Sequence, residues 1–147
     1  MFQDTSNLFD SEIILKLHRT ADAIPQRNWV PAYHFKIYRK SDDVEGGFCD
    51  LRIGHTEGTF YGGNIGYTVY EAYRGHHFAG KACLLLFTLA KKHDMGYVYI
   101  ACDHDNFASR KTCEFAGGEL EGIFDLPPHN EMYLEGDKRK CVFRFIL

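Results

Sequence analysis

The segment from Tyr73 to Ala82 has the residue types of an anion-binding loop. It reads YRGHHFAGKA, and it leaves a predicted strand and opens a predicted helix. Free backbone N–H groups at a helix N-terminus attract anions, and small residues such as Gly75 and Gly80 let a phosphate approach the main chain. A phosphorylated cofactor is one interpretation. An ordinary helix start, whose glycines relieve a tight turn, is the other.

A second polar segment, Asp103-His104-Asp105-Asn106, follows another apolar run and precedes a second predicted helix. Asp103 and His104 could pass a proton through water, but such residues also favour turns and helix starts, so both interpretations stay open. The eight histidines show no HxxxH or HExxH spacing, and the adjacent pair His76-His77 is poorly suited to share one ligand. We therefore predict no metal site.

The elements that must position these segments alternate between strand and helix patterns. The predicted turns are Asp42-Asp43 with Gly46-Gly47, and the Gly-rich stretch from Glu57 to Gly63. Alternating or continuous apolar runs predict strands at Glu12–Leu17, Tyr33–Tyr38, Phe48–Ile53, Ile65–Tyr70, Tyr97–Cys102, Glu119–Phe124 and around Cys141–Leu147. Helix patterns cover Phe78–His93, with Gly96 as its C-terminal cap, and a stretch from Asn106 to near Gly117.

The strand, helix, strand succession around Phe78–His93 implies a parallel pair. The fold class is therefore α+β, with a mixed sheet and a central parallel step. The helix is apolar over most of its circumference, so we expect it to be buried.

Composition excludes several classes of protein. The chain has 147 residues with 45% hydrophobic side chains, so we assign residues 1–147 to one globular domain. A net charge of -3 gives no general attraction to nucleic acid or an anionic membrane. The N-terminus has no secretory pattern, and the longest apolar run, near Leu84 to Ala90, is too short to span a bilayer. Five cysteines without a CxxC pair fit the reducing cytoplasm.

Between Gly63 and Gly118 the chain resembles the GNAT superfamily of acyl-coenzyme A dependent acyltransferases. The family's pyrophosphate loop, Q/R-x-x-G-x-G/A, is matched by Arg74–Ala79, and its Asn at the start of the next helix by Asn106. A looser likeness is to a bacterial subgroup whose loop reads RGHH. The resemblance implies a mixed, mostly antiparallel sheet of six to seven strands, with helices on both faces.

The resemblance also implies a binding site for acetyl-CoA as co-substrate. Its pantetheine would pair with the fourth strand and reach Asn106 and Ser109, and its pyrophosphate would meet the loop amides. His77 replaces the family's central glycine, and it could still donate its N–H if φ stays negative. Arg74, Lys81, Arg110 and Lys111 could neutralise charge or form a solvated face. The implied cofactor residues are Tyr67, Thr68, Val69, Arg74, Gly75, His76, His77, Phe78, Ala79, Gly80, Lys81, Asn106 and Ser109.

The family's usual catalytic positions are non-standard in this chain. Ala101 and Gly63 stand where family members carry a glutamate base, and Cys113 stands where many carry a tyrosine acid. Cys113 could protonate the leaving thiolate or simply pack. Asp103, and Tyr133 with Glu131 before the last strand, are further catalytic or pocket candidates; turn and surface-loop roles are the alternatives.

The leading hypothesis is an N-acetyltransferase in which a primary amine attacks acetyl-CoA directly, without a covalent enzyme intermediate. The missing acid and base motivate an alternative, a non-catalytic acyl-CoA-binding regulatory or interaction module. A pure protein-interaction domain, which would not bind coenzyme A at all, is a third hypothesis. The partners implied are a coenzyme A thioester and an amine-bearing acceptor, with no nucleic acid and no membrane. A homodimer is an open expectation.

Overall fold

The computed structural model describes all residues, 1–147, and contains seven strands and four α-helices. The strands are β1 (Ile13–Ala21), β2 (Ala32–Arg39), β3 (Val44–Arg52), β4 (Ile65–Val69), β5 (Tyr97–Asp103), β6 (Glu119–Asp125) and β7 (Arg139–Ile146). The helices are α1 (Glu57–Tyr61), α2 (Phe78–Lys92), α3 (Phe107–Phe115) and α4 (Glu131–Leu134). One 3-10 turn, Pro25–Arg27, lies between β1 and β2, and a second, Glu71–Tyr73, follows β4. The α+β class and the seven strands are therefore confirmed.

The strands form two separate antiparallel sheets. The first sheet has the order β1-β2-β3-β4, and the second has the order β5-β7-β6. The central parallel pair expected from the sequence is not formed as a ladder, because β4 and β5 are facing edge strands of different sheets. One backbone hydrogen bond joins β5 to the residue that precedes β4, where the Asn64 amide donates to the Tyr99 carbonyl at 2.7 Å.

Helix α2 holds the two sheets together, as its apolar composition predicts. Its residues Cys83, Leu86 and Leu89 are fully buried, and the Phe87 ring lies 5.0 Å from Phe145 of β7. The expected cap at Gly96 is wrong: Asp94 takes the left-handed conformation after the helix, with a φ of 57°. An aspartate tolerates that conformation better than most residues, so no glycine is required there.

The first sheet has one buried face and one open face. Along β3, Cys49 and Leu51 point into the core, while Phe48 and Asp50 point away from it, which confirms the predicted alternation. The core-facing side packs against α2. Consequently a polar surface runs along the opposite face of the sheet.

Two predicted turns are different elements in the structure. Gly46-Gly47 lies inside β3, where a side chain on Gly47 would collide with the Thr68 carbonyl oxygen of β4. The Gly-rich stretch after Thr56 forms α1, which begins with a capping box between Thr56 and Thr59. Glycine suggested a loop at both places. In β3 glycine instead allows two strands to approach closely, and in α1 it lies within a capped helix.

Helix α1 lies beside the second sheet. The Phe60 ring of α1 packs 5.0 Å from Tyr99, on the face of β5 opposite the buried Val98 and Ile100. Helix α4 falls in the stretch that the sequence predicted as a loop. None of the helices is both long and apolar enough to cross a membrane.

Candidate active site

A groove of about 620 Å³ runs between the free edge of β4 and the first turns of α2 and α3. Because β4 pairs only with β3, its other edge carries backbone N–H and C=O groups that no strand satisfies. The lining residues are Tyr67, Thr68, Val69, Tyr73, Arg74, Gly75, His77, Phe78, Ala79, Gly80, Asn106, Ala108, Ser109, Lys111, Thr112 and Phe115. Most of the implied cofactor residues are thus brought together.

The loop before α2 presents backbone amides to this groove. His77 is the N-cap residue and makes no side-chain capping bond, so the first-turn N–H groups have no intrahelical partner. The condition of a negative φ at His77 is not met, because its φ is 60°, in the left-handed region. His77 therefore adopts a backbone conformation that glycine adopts most easily. Its ring stacks on Phe115, with the ring centroids 4.5 Å apart.

Gly80 allows α2 and α3 to approach each other beside the loop. A Cβ atom at Gly80 would lie only 2.3 Å from the Phe115 ring. The same ring stacks on His77, so Phe115 contacts both the loop and helix α2. The absence of a side chain at Gly80 therefore fixes one wall of the groove.

Tyr67 and Ser109 connect the two walls of the groove. The Tyr67 hydroxyl lies 2.6 Å from the Ser109 hydroxyl, across from β4 to α3. Asn106 caps α3 by accepting a hydrogen bond from the Ser109 amide at 3.1 Å. Burial raises the pKa of Tyr67 well above its usual value, so the phenol stays protonated. Two hydroxyl groups therefore lie together deep in the groove.

The edges of β4 and β5 face each other across a gap. Asn64 closes one end of this gap, and the sequence did not single it out. Its side chain is fully buried, donates to the Gly54 carbonyl at 2.8 Å and the Arg52 carbonyl at 3.1 Å, and accepts from the Tyr99 amide at 2.8 Å. Its backbone carbonyl accepts from the Arg52 amide, so the residue joins β3 to β5. The sequence offered only an asparagine after two glycines, which also fits a turn.

Two of the implied cofactor residues lie outside the groove. Lys81 pairs with Glu12 at 2.5 Å, and His76 lines a separate cavity beside Arg39. Arg74 does line the groove, and its Nε donates to the Val69 carbonyl at 3.0 Å. Of the two candidate cations on α3, Lys111 lines the groove, whereas Arg110 donates to the His104 carbonyl at 3.4 Å. The charge facing the groove therefore comes from Arg74 and Lys111.

The three catalytic candidates from the sequence do not converge. Asp103 accepts a hydrogen bond from Lys140 at 2.8 Å and is held in an ion pair at the end of β5. Tyr133 lies on α4, where the Lys138 ammonium sits 3.5 Å from the centre of its ring. Neither residue lines the groove.

Cys113 is the third candidate, and it is fully buried beneath the groove. Desolvation and, to a smaller extent, Cys102 raise the pKa of Cys113 to about 12, against the opposing effect of a hydrogen bond from Tyr67. A thiol whose pKa is raised above the ~8.5 of an ordinary cysteine is a weaker acid, so burial makes Cys113 a poorer proton donor. No three His, Cys, Asp or Glu side chains are grouped as a metal would require.

Comparisons with known proteins agree with this architecture. The family model described as "Acetyltransferase (GNAT) domain" matches residues 6–119. A comparison with curated protein sequences found no match.

Several solved acetyltransferase structures have a similar fold. A microcin C7 self-immunity acetyltransferase, in complex with acetyl-CoA and AMP, has a TM-score of 0.63 and 21% identity over 79% of this chain. A ribosomal L7/L12 alpha-N-protein acetyltransferase in complex with coenzyme A has a TM-score of 0.61 and 22% identity over 83% of it. A ribosomal-protein-S5-alanine acetyltransferase from Vibrio fischeri has a TM-score of 0.62 and 19% identity over 83% of it.

This chain spans only 61% of the length of the first of these proteins and 64% of the other two. At such identities the likeness establishes the fold and not the substrate. The family model, in contrast, covers most of the chain. The chain therefore belongs to the GNAT acetyltransferase domain family.

Proposed function

We propose that the chain is an N-acetyltransferase that transfers the acetyl group of acetyl-CoA to a primary amine by direct attack. The observation that carries this proposal is the groove between the free edge of β4 and the uncapped first turn of α2. The family match and the acetyl-CoA or coenzyme A bound to similar structures support it.

The groove offers a separate partner to each part of the cofactor. The pantetheine amides would pair with the unpaired edge at Tyr67 to Val69, as an added strand does. The pantetheine would then complete, between β4 and β5, the parallel arrangement that the two strands do not form by themselves. The pyrophosphate would accept from the amides of Gly75 to Gly80, with Arg74 and Lys111 supplying positive charge.

The chemistry needs a neutral amine, a stabilised oxyanion and a stabilised leaving thiolate. In the proposed reaction the nitrogen lone pair forms the C–N bond, and the C–S bond breaks with its electrons going to sulfur. The hydroxyls of Tyr67 and Ser109 line the groove side by side, and they would donate hydrogen bonds to the sulfur. We assign Cys113 a packing role, because its thiol is fully buried.

We propose a peptide or protein N-terminus as the first acceptor to test. Two of the similar structures are named as acetyltransferases of ribosomal proteins, one of them an alpha-N-protein acetyltransferase. A cytoplasmic location fits this acceptor class, and the homodimer stays a prediction.

The test is an acetyl-CoA titration followed by a screen of amines. Acetyl-CoA should raise the unfolding midpoint, because ligand at a hundredfold excess over Kd adds about 2.7 kcal/mol of stability. Thiol release with peptides that begin with serine or alanine, and with small amines, then measures transfer. No shift at millimolar acetyl-CoA would exclude the cofactor. Binding without transfer to any amine would favour the acyl-CoA-binding module.

A further inference from the structure

The open face of the first sheet carries a cluster of charged and titratable side chains beside the closed end of the gap. Asp50 of β3 lies between His34, its partner on β2, and Gly66, its partner on β4. Arg52 places one guanidinium nitrogen 3.8 Å from the Asp50 carboxylate. Its other terminal nitrogen donates to the Gly63 carbonyl at 3.1 Å. The cluster therefore contacts the segment just before β4, at Gly63, and β4 itself, at Gly66.

Asp50 approaches β4 closely because Gly66 has no side chain. Its Oδ1 accepts a hydrogen bond from the Gly66 amide at 3.1 Å and lies 3.2 Å from where a Cβ would stand. Only 20% of the Asp50 side chain is exposed, although no helix covers this face. The carboxylate is thus held in one place, directly against the strand that forms one wall of the groove.

The groove and this cluster lie on opposite faces of β4. The side chains of Tyr67 and Val69 point toward the helices and the groove, whereas Gly66 and the side chain of Thr68 lie on the open face with Asp50. If the cofactor enters from the helix side, the acceptor must approach its thioester from the open side. The Asp50 carboxylate, held beside Gly66, lies along that path.

The two strand positions where family members carry a base are empty of ionisable groups here, since they hold Gly63 and Ala101. We infer that Asp50 is the proton acceptor for the attacking amine, and that it selects cationic primary amines by attraction. This inference rests on the proposed function. It assigns the acceptor side of the same reaction to the open face of the first sheet.

The surrounding groups are compatible with that role. Arg52 on the same strand faces the carboxylate, and His34 faces it from β2, with Arg19 and His18 of β1 near His34. Burial lowers the pKa of His34, and Arg19, Arg52 and His18 lower it further while Asp50 opposes them. His34 is therefore largely neutral at pH 7 and adds no positive charge beside Asp50.

The step balances in protons and electrons. Asp50 takes one proton from the ammonium ion, and the freed lone pair forms the C–N bond as the C–S pair moves to sulfur. The nitrogen then loses its second proton, and the thiolate takes up one. Asp50 returns its proton to solvent, so each turnover at neutral pH releases one proton together with the amide and coenzyme A.

The experiment compares wild type with Asp50→Asn, which retains an oxygen to accept the Gly66 N–H but has no basic carboxylate. Thiol release from saturating acetyl-CoA is measured at pH 7 with ethanolamine, which is an ammonium ion there, and with hydroxylamine, which is mostly neutral. Asp50→Asn should lower the ethanolamine rate by about 10²- to 10⁴-fold, the usual effect of a general base, and the hydroxylamine rate by less than about tenfold. Raising the pH should restore part of the ethanolamine rate.

Asp43→Asn is the matched control, because Asp43 is an exposed carboxylate that pairs with Lys16 at 2.7 Å in the turn before β3. It should leave both rates unchanged, and acetyl-CoA should stabilise all three proteins equally. Equal losses with both nucleophiles would assign Asp50 a structural role and overturn the inference, as would no loss at all. A wild type that binds acetyl-CoA but reacts with neither nucleophile, nor with any peptide or small amine of the screen described above, would overturn the proposed transfer itself, and the role of Asp50 with it.

Discussion

The two ends of the gap between β4 and β5 are built in opposite ways. At the closed end, Asn64 satisfies every polar group it meets and ties three strands together. At the open end, beyond Tyr67, β4 has an unpaired edge and α2 begins without a side-chain cap. The polar groups at the closed end are hydrogen-bonded within the protein and stabilise it, whereas those at the open end remain available to a ligand.

This difference explains why the protein can be stable and still have a groove whose backbone amides have no protein partner. Buried polar groups are costly unless they are paired, so a groove with free amides must be held open by a rigid neighbour. Asn64 supplies that rigidity at one end, and the contact of Gly80 with Phe115 supplies it near the other. Mutations at the two ends should therefore affect different properties.

The largest effect is expected at the closed end, from Asn64→Ala. The substitution leaves the Tyr99 amide and the Arg52 and Gly54 carbonyls without their buried partner. Each unsatisfied group costs about 1–3 kcal/mol, and we expect a total loss of about 3–5 kcal/mol in the free energy of unfolding, measured by urea denaturation. Asn7→Ala, at an exposed position, is the control. A loss below about 1 kcal/mol would show that the two sheets are held together without Asn64.

The sequence predicted the open end of the gap better than the closed end. The groove residues follow local rules, because a helix N-terminus and a strand edge expose backbone groups wherever they occur. The family resemblance then located Arg74 to Gly80 and Asn106 without any tertiary information. Local signals were sufficient for most of the groove, and for the buried helix α2.

The closed end depends on contacts between residues far apart in the chain. Asn64 is recognisable as a junction only when Arg52 and Tyr99 lie on either side of it. In the same way, Asp50 is one more alternating residue of a strand until Gly66 is seen beside it. The parallel step was over-predicted for this reason: strand order along the chain does not reveal that β4 and β5 form no ladder and that one backbone hydrogen bond, from Asn64 to Tyr99, joins the two sheets there.

Cys113→Ala separates packing from chemistry beneath the groove. Because the thiol is fully buried, its removal should cost about 1–3 kcal/mol of stability, as other buried truncations do. Turnover of acetyl-CoA should stay within about threefold of wild type at a temperature where both proteins are folded. A fall in turnover beyond about tenfold, with unchanged acetyl-CoA affinity, would make Cys113 the proton donor instead.

Ala79→Glu tests the open end, with stability and binding expected to change in opposite directions. A carboxylate in the first turn of α2 interacts favourably with the helix dipole and should stabilise the protein by about 0.3–1 kcal/mol. The same carboxylate would occupy the region proposed for the pyrophosphate, so acetyl-CoA affinity should fall at least about tenfold, or 1.4 kcal/mol. Calorimetric titration and thermal unfolding measure the two effects.

Ala72→Glu is the control for this test, because Ala72 is exposed and does not line the groove. It adds the same charge without entering the proposed site. If both variants weaken binding equally, general repulsion rather than the α2 amides governs the affinity. Unchanged affinity in Ala79→Glu would place the pyrophosphate elsewhere.

The smallest effect is expected from His77→Gly, because two contributions oppose each other. Glycine removes the cost of a left-handed non-glycine residue, about 1–2 kcal/mol, but it also removes the stacking of His77 on Phe115, about 0.5–1.5 kcal/mol. Stability should therefore change by less than about 1 kcal/mol, and acetyl-CoA affinity should be retained or improve, since the amide keeps its direction. If affinity is abolished while the protein remains folded, the imidazole itself contacts the cofactor, and the loop does not bind through its backbone alone.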